Sequence, residues 1–292
     1  MVTRTGQFPI GFRRGGGEWQ KDLPKLCRWA REQGFEALDI SRCTADDVRA
    51  VQQAGLRIGT VDLLDLRGLL SPDAAKRRDA VARNTDFMRN MAGAGAKLFF
   101  VVIVPEAPDR PRLENYKLAV ESYAQLGAAA EKLGARILIE GYPGGGLLPH
   151  LCCNPETCRA LFKDAGAPAL GINYDPSHLI RMGIDHLRFA EEFGARVGHV
   201  HAKDTELIGE AAYEYGLYQP SVFNKAHGYG SFVWRYTLPG HGCARWTRLF
   251  QILKSAGFGG IVSVELEDEN FNGTEAGEKS GLLASLAFLK SA

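Results

Sequence analysis

The feature of this sequence that most constrains its fold is a regular alternation of short apolar runs with longer amphipathic stretches. The runs occupy residues 8–12, 37–40, 57–63, 97–104, 136–142, 170–176, 198–204 and 260–268, each rich in Val, Ile, Leu or Phe. A parallel strand covered on both faces needs such a run, and the shortness of each suits a strand. The stretches between them read as helices. Residues 19–33 place Leu23, Leu26 and Ala30 at helical spacing before Gly34. Thr44 is a good N-cap for 45–54, with Asp46 and Asp47 in the first turn, where the helix dipole favours anions. Pro72 opens a segment running to Gly95, and an Ala-rich helix over 114–133 ends at Gly134. Segments 155–165, 185–193, 245–256 and 275–289 complete the set.

The phrases EQGFEALDI, KLGARILIE and SAGFGGIVSVE share one form: helix end, glycine, short turn, strand. Glycine suits the residue after a helix because that position usually adopts a left-handed conformation that a Cβ penalises. Eight strands alternating with helices predict an α/β protein, a closed (β/α)8 TIM barrel, as a single domain over 1–292. An open doubly wound sheet is the competing architecture. It would need a GxGxxG loop after the first strand, and Gly15, Gly16 and Gly17 do not supply one.

Composition narrows the partners. With 35 Lys plus Arg against 34 Asp plus Glu, the formal net charge is +1, which creates no field to attract nucleic acid or an anionic membrane. The first residues, MVTRTGQFPIGF, lack a signal-like apolar run, and no stretch reaches ~18 apolar residues, so a cytoplasmic location is expected. Cys27, Cys43, Cys152, Cys153, Cys158 and Cys243 form no CxxC pair. The cluster of Cys152, Cys153 and Cys158 fits no common zinc spacing, and all six read as reduced thiols.

The longest connection, 205–244, follows the seventh strand on the side that is catalytic in such barrels, and it carries Tyr213, Tyr215, Tyr218, Phe223, Tyr229, Phe232, Trp234 and Tyr236. Structureless connections of this length are usually functional, so it reads as a lid or substrate wall, with Trp234 an expected substrate contact.

The chemistry sits at the ends of the last four strands. ILIE ends in Glu140, GINYD in Asp175, GHVH in His201 and VSVE in Glu265. Side chains alternate along a strand, so one terminal position on each can face the barrel mouth. Three carboxylates brought together would repel and raise one another's pKa, which a divalent cation prevents. Oxygen-rich ligation with one imidazole suits Mn²⁺ first, with Mg²⁺ or Co²⁺ as alternatives, at one ion per chain.

These motifs, together with DPSH at Asp175–His178, HAKD at His201–Asp204, PGHG before Arg245 and Trp246, and the closing VSVELED, resemble the xylose isomerase-like barrel superfamily. Within it they resemble the sugar phosphate isomerase/epimerase group that includes D-tagatose 3-epimerase and inosose dehydratase. The resemblance implies that Glu140, Asp175, His201 and Glu265 bind the metal and that Glu140 and Glu265 also act as the catalytic acid/base pair. It implies a substrate contact for His178. Lys203, on the His201 face, would reach a substrate hydroxyl or phosphate, or pair with a carboxylate; His241 and His150 are further pocket candidates, and His227 a lesser one. His199 reads as a core histidine, Asp204 as a loop cap, His186 as an ordinary helix-start residue, and Glu267 as a neighbour of the site.

The expected function is a divalent-metal-dependent sugar isomerase/epimerase working through a cis-enediolate of a ketose or keto-sugar. The same intermediate serves a lyase of the superfamily: a dehydratase, a keto-sugar hydratase or a C-glycoside-cleaving enzyme. A catalytically silent sugar-binding barrel is the alternative of another class. A small-molecule sugar or keto-glycoside is the expected partner, with a homo-oligomer or partner subunit by analogy.

Overall fold

A computed structural model describes residues 1–145 and 149–292; residues 146–148, in the glycine-rich loop that leads to His150, lie outside the described residues. Eight parallel strands close into a barrel. They are β1 (Ile10–Arg13), β2 (Ala37–Ile40), β3 (Arg57–Asp62), β4 (Leu98–Val102), β5 (Arg136–Glu140), β6 (Leu170–Tyr174), β7 (Val197–Ala202) and, last in the chain, β10 (Val262–Val264). Each lies within or at the edge of one expected apolar run. They are hydrogen-bonded in sequence order, and β10 closes the ring between β7 and β1. Residues of β6 and β7 are buried throughout, as strands between a barrel interior and a helical layer must be.

The outer layer comprises α1 (Leu23–Gln33), α2 (Ala45–Gln53), α3 (Ala74–Gly93), α4 (Arg112–Lys132), α5 (Pro155–Ala165), α6 (Pro176–Arg181), α7 (His186–Phe193), α9 (Trp246–Ser255) and α10 (Glu275–Ser291). Local chemistry explains their limits. Thr44 and Asp47 form a reciprocal capping box at the start of α2. Gly34, Gly134 and Gly257, which follow α1, α4 and α9, all have positive φ, as the three repeated phrases require. Two differences from expectation stand out. The long helix begins at Ala74, one residue after its N-cap Asp73, rather than at Pro72. The sequence reading also contains no α6, a helix of six residues capped by Asp175 and too short to display a period. No helix among the described residues is long and apolar enough to cross a membrane.

The 205–244 segment is not structureless, which corrects the sequence reading. Strands β8 (Asp204–Leu207) and β9 (Trp234–Thr237) pair antiparallel, from Asp204↔Thr237 to Leu207↔Trp234, and α8 (Gly209–Tyr215) follows β8. The resulting arm divides its rings by position. Tyr213, Tyr218 and Phe223 are 85–94% exposed at its outer part, whereas Tyr236 at its base is buried. Asp204 closes the base, accepting hydrogen bonds from the backbone N–H of Thr205, Gly240 and Ala244 and from the Trp246 indole.

The N-terminal end of the barrel is packed around Arg136. Its guanidinium donates to the Arg196 carbonyl at 2.8 Å and lies against Gly171 and Gly198. A Cβ at Gly171 would stand 2.5 Å from the Arg136 Nη2 and 2.6 Å from the Arg196 carbonyl oxygen, so backbone would have to move. Gly171→Ala should therefore lower stability by about 1–3 kcal/mol, the usual cost of overpacking. Urea denaturation measures the loss, and circular dichroism should show the secondary structure unchanged.

Candidate metal centre and active site

The C-terminal ends of β5, β6, β7 and β10 bring the expected residues together. Glu140 is the last residue of β5, Asp175 follows β6, His201 lies near the end of β7, and Glu265 follows β10. Donor atoms of Glu140, Asp175, His178 and Glu265 all lie within 4.8 Å of one another. His201 joins them through Nδ1, which is 2.6 Å from Glu140 Oε1 and 3.4 Å from Glu265 Oε2. His178 thus stands among the carboxylates, 3.4 Å from both Glu140 and Asp175, rather than at the periphery. It arrives there on α6, the helix absent from the sequence reading.

The cluster fits a divalent cation. Three carboxylates and an imidazole supply hard oxygen donors with a borderline nitrogen. Asp175 Oδ2 is buried yet makes no hydrogen bond among the described residues, and so has lone pairs to offer. His201 turns its other nitrogen, Nε2, toward Asp39 Oδ2 at 3.4 Å.

Protein cations also balance these charges. The Lys203 ammonium is buried, 2.5 Å from Glu265, 2.9 Å from Glu267 and 3.3 Å from Asp175. Of the two roles open to Lys203 in the sequence, pairing with carboxylates is the one seen here. Burial alone would lower its pKa, but the facing carboxylates, Glu265 foremost, raise it well above the lysine range. Burial alone would likewise raise the Glu265 carboxyl, yet Lys203, then His201 and Arg13, hold it well below the usual carboxylate range. Glu140 follows a similar balance: burial and Glu265 push upward, and His201 and His178 bring it below the usual range. Asp175 goes the other way, raised because burial outweighs Lys203 and His178.

The opposite side of the mouth is built from residues that sequence reasoning passed over. Arg13, at the end of β1, grips Asp62 at the end of β3 with two hydrogen bonds of 2.9 and 2.7 Å, and its Nε lies 3.4 Å from Glu265. Its guanidinium also covers Phe100, which stacks on His201 at 5.3 Å. Ionisable residues at or near the ends of the first three strands, Arg13, Asp39 and Asp62, carry the same signal in the sequence. Tyr236 is another addition: its hydroxyl is 2.7 Å from His178 Nδ1.

The remaining candidates divide. Trp234 lies 5.0 Å from the Tyr236 ring and stacks on the Arg181 guanidinium at 4.6 Å, at the edge of the mouth. His150 bonds to the Tyr142 carbonyl at 3.0 Å and contacts the Tyr142 ring, which in turn contacts His178. It is therefore one ring removed from the cluster. His241 is exposed in its turn, and His227 pairs with Glu269 at 2.7 Å. His199 is a buried histidine bonded to Asp39 at 2.9 Å, and Asp204 is a loop cap, both as expected. The cysteines are all free; Cys152 and Cys158 are buried with their sulfurs 3.3 Å apart.

This architecture has relatives. Residues 27–292 match the family described as Xylose isomerase-like TIM barrel. Uncharacterized protein YfiH of Bacillus subtilis (strain 168) is 31% identical over 176 residues, covering 58% of this chain and 53% of that protein. Inosose dehydratase of Geobacillus thermodenitrificans (strain NG80-2) is 28% identical over 157 residues, covering 53% and 48%. The chain thus spans about half the length of the curated relatives it matches. Among solved structures, 3-keto-D-glucoside 4-epimerase YcjR from E. coli superposes with a TM-score of 0.69 at 16% identity, over 97% of this chain and 98% of that one. At that identity the likeness is one of fold. The match over most of its length shows that this chain belongs to the xylose isomerase-like TIM barrel family.

Proposed function

We propose that this chain is a divalent-metal-dependent sugar isomerase/epimerase that removes the proton α to the ketone of a ketose or keto-glycoside. The observation that carries the reading is the pair Glu140 and Glu265, two carboxylates held low in pKa and meeting at His201 Nδ1. Glu140, Asp175, His201 and Glu265, with His178 beside them, would hold the ion, Mn²⁺ first among the candidates. When bound, it supplies Lewis-acid polarisation of the ketone and its neighbouring hydroxyl.

The residues supply the rest. Glu265, kept ionised by Lys203 and Arg13, is the base that accepts the α-proton, leaving a cis-enediolate. Glu140, bounded by His178, His201 and Asn173, serves the other face: ionised at the start, it takes a proton from solvent and delivers it to the same carbon, while Glu265 releases its proton to solvent. Tyr236 keeps His178 aligned, and the rings of Trp234 and Tyr142 offer apolar surface to the rest of the sugar. Glu→Gln at either glutamate should lower kcat far more than it raises KM, because an amide cannot accept the proton. Near-normal turnover in both variants would remove the pair from the mechanism.

Lys203 gives this reading a pH signature. Lys203→Met removes the cation that holds the Glu265 carboxyl down, so the acid limb of kcat/KM should move to higher pH. The wild-type contribution of this pair to stability is present above the ordinary glutamate pKa and is lost as pH falls through the depressed folded value. The variant should therefore be less stable at neutral pH by about 3–5 kcal/mol, the usual effect of stranding a buried charge, with the gap closing in acid. An unmoved acid limb would mean that Lys203 does not tune the base.

Dehydration is the second reading, and Lys203 is the observation that favours it. An ammonium bound to both Glu265 and Glu267 can protonate a departing hydroxyl while Glu265 takes the α-proton, so that water leaves from the enediolate. Mass spectrometry and NMR in D2O separate the outcomes across ketoses, keto-glycosides and inososes. An epimerase returns substrate and product both deuterated at one carbon, and a dehydratase yields a product that has lost water. If no candidate exchanges its α-proton, both readings fail and a silent sugar-binding barrel takes their place.

A further inference from the structure

We propose that Asp39 is a positioning residue that fixes the orientation and tautomer of His201, so that Nδ1 of this imidazole is presented as a metal ligand. The inference rests on the metal site proposed above and extends it to the N-terminal half of the barrel.

Asp39 lies in β2, separated from β7 in the ring by β10 and β1, and is completely buried. Its Oδ2 is hydrogen-bonded to His199 Nε2 at 2.9 Å and lies 3.4 Å from His201 Nε2, a buried nitrogen with no hydrogen bond among the described residues. One carboxylate oxygen thus faces two imidazole edges and is the acceptor within reach of the second. Its Oδ1 is fixed separately, accepting the Thr60 backbone N–H at 3.1 Å. The carboxylate therefore cannot rotate away without leaving a buried donor unpaired. Space for it exists because residue 59 is glycine: a Cβ there would stand 1.7 Å from Oδ1.

The imidazole of His201 is held on its other sides as well. Phe100 stacks on it with a 30° interplanar angle, and Nδ1 points to Glu140 and Glu265. Both ring nitrogens face carboxylates, Nδ1 at 2.6 Å from Glu140 and Nε2 at 3.4 Å from Asp39, and a carboxylate can only accept. Once an ion displaces the proton from Nδ1, Asp39 is the acceptor that holds the remaining proton on Nε2. That leaves the Nδ1 lone pair for the cluster, and the negative charge behind the ring increases its basicity. His199 cannot replace Asp39, because its own Nδ1 is buried without a hydrogen-bond partner among the described residues and its Nε2 is turned to the same oxygen.

The test uses Asp39→Asn, which keeps the volume and removes the charge. Mn²⁺ is titrated into chelator-stripped wild-type and variant protein, and free ion is read by EPR. The variant should bind Mn²⁺ about 10- to 100-fold more weakly, the usual effect of removing such a partner, while circular dichroism shows the fold intact. The second measurement needs no variant. In Mg²⁺-loaded wild-type protein labelled with ¹⁵N-histidine, NMR should find the His201 proton on Nε2. Equal Mn²⁺ affinity in a folded Asn variant, or an Nδ1–H tautomer in the loaded wild type, overturns the inference and leaves the metal site standing. Wild-type protein that binds no Mn²⁺ overturns the metal site itself.

Discussion

One buried ammonium carries much of the electrostatic balance at this barrel mouth. Lys203 lies among Asp175, Glu265 and Glu267, where carboxylates would otherwise face one another with little water between them. Taking a lysine out of water costs several kcal/mol, and only close, multiple partners recover it. The arrangement lets the Glu265 carboxyl stay ionised with Asp175 and Glu267 at close quarters. Arg13 does the same from the other side of Glu265, and the two imidazoles do it for Glu140. The charges are matched in opposed pairs across the mouth.

This balance qualifies the electrostatic argument from sequence. Three converging carboxylates suggested that a metal is needed to hold them together, but the protein's own cations already compensate much of their charge. What favours a metal in the folded chain is more specific: the compact set of carboxylate and imidazole donors, and a buried Asp175 oxygen that has ionic neighbours at 3.3–3.4 Å but no hydrogen bond among the described residues. A divalent ion would enter a site whose negative charge Lys203 and Arg13 already offset in part, so its affinity depends on donor geometry as well as on net charge.

The barrel was legible because its strands are buried on both faces and therefore carry continuous apolar runs. The candidate site was legible because each of the four strands beneath it ends in or is followed by an ionisable residue. The remainder was hidden for physical reasons. Arg13 and Asp62 meet across 49 residues, and Asp39 meets His199 across 160, leaving no local pattern. Helix α6 spans less than two turns, so no period could reveal it, although its Asp-Pro start is a capping signal. The arm strands β8 and β9 are only four residues each, mix polar and aromatic side chains, and are separated by 26 residues. They looked like loop because pairing, rather than composition, makes them strands.

The closure of that arm by Asp204 has a consequence for how this chain can vary. Three hydrogen bonds on a single carboxylate, from Gly240, Ala244 and Trp246, bring the segment's two ends together independently of what lies between them. Once the ends are joined, doubling the length of the intervening chain adds only about 0.6 kcal/mol of closure entropy. The arm is thus an exchangeable module: its outer part can be lengthened, shortened or recomposed with small thermodynamic effect on the barrel. Selection can then reshape what stands above the mouth while the strand-end chemistry beneath is inherited intact.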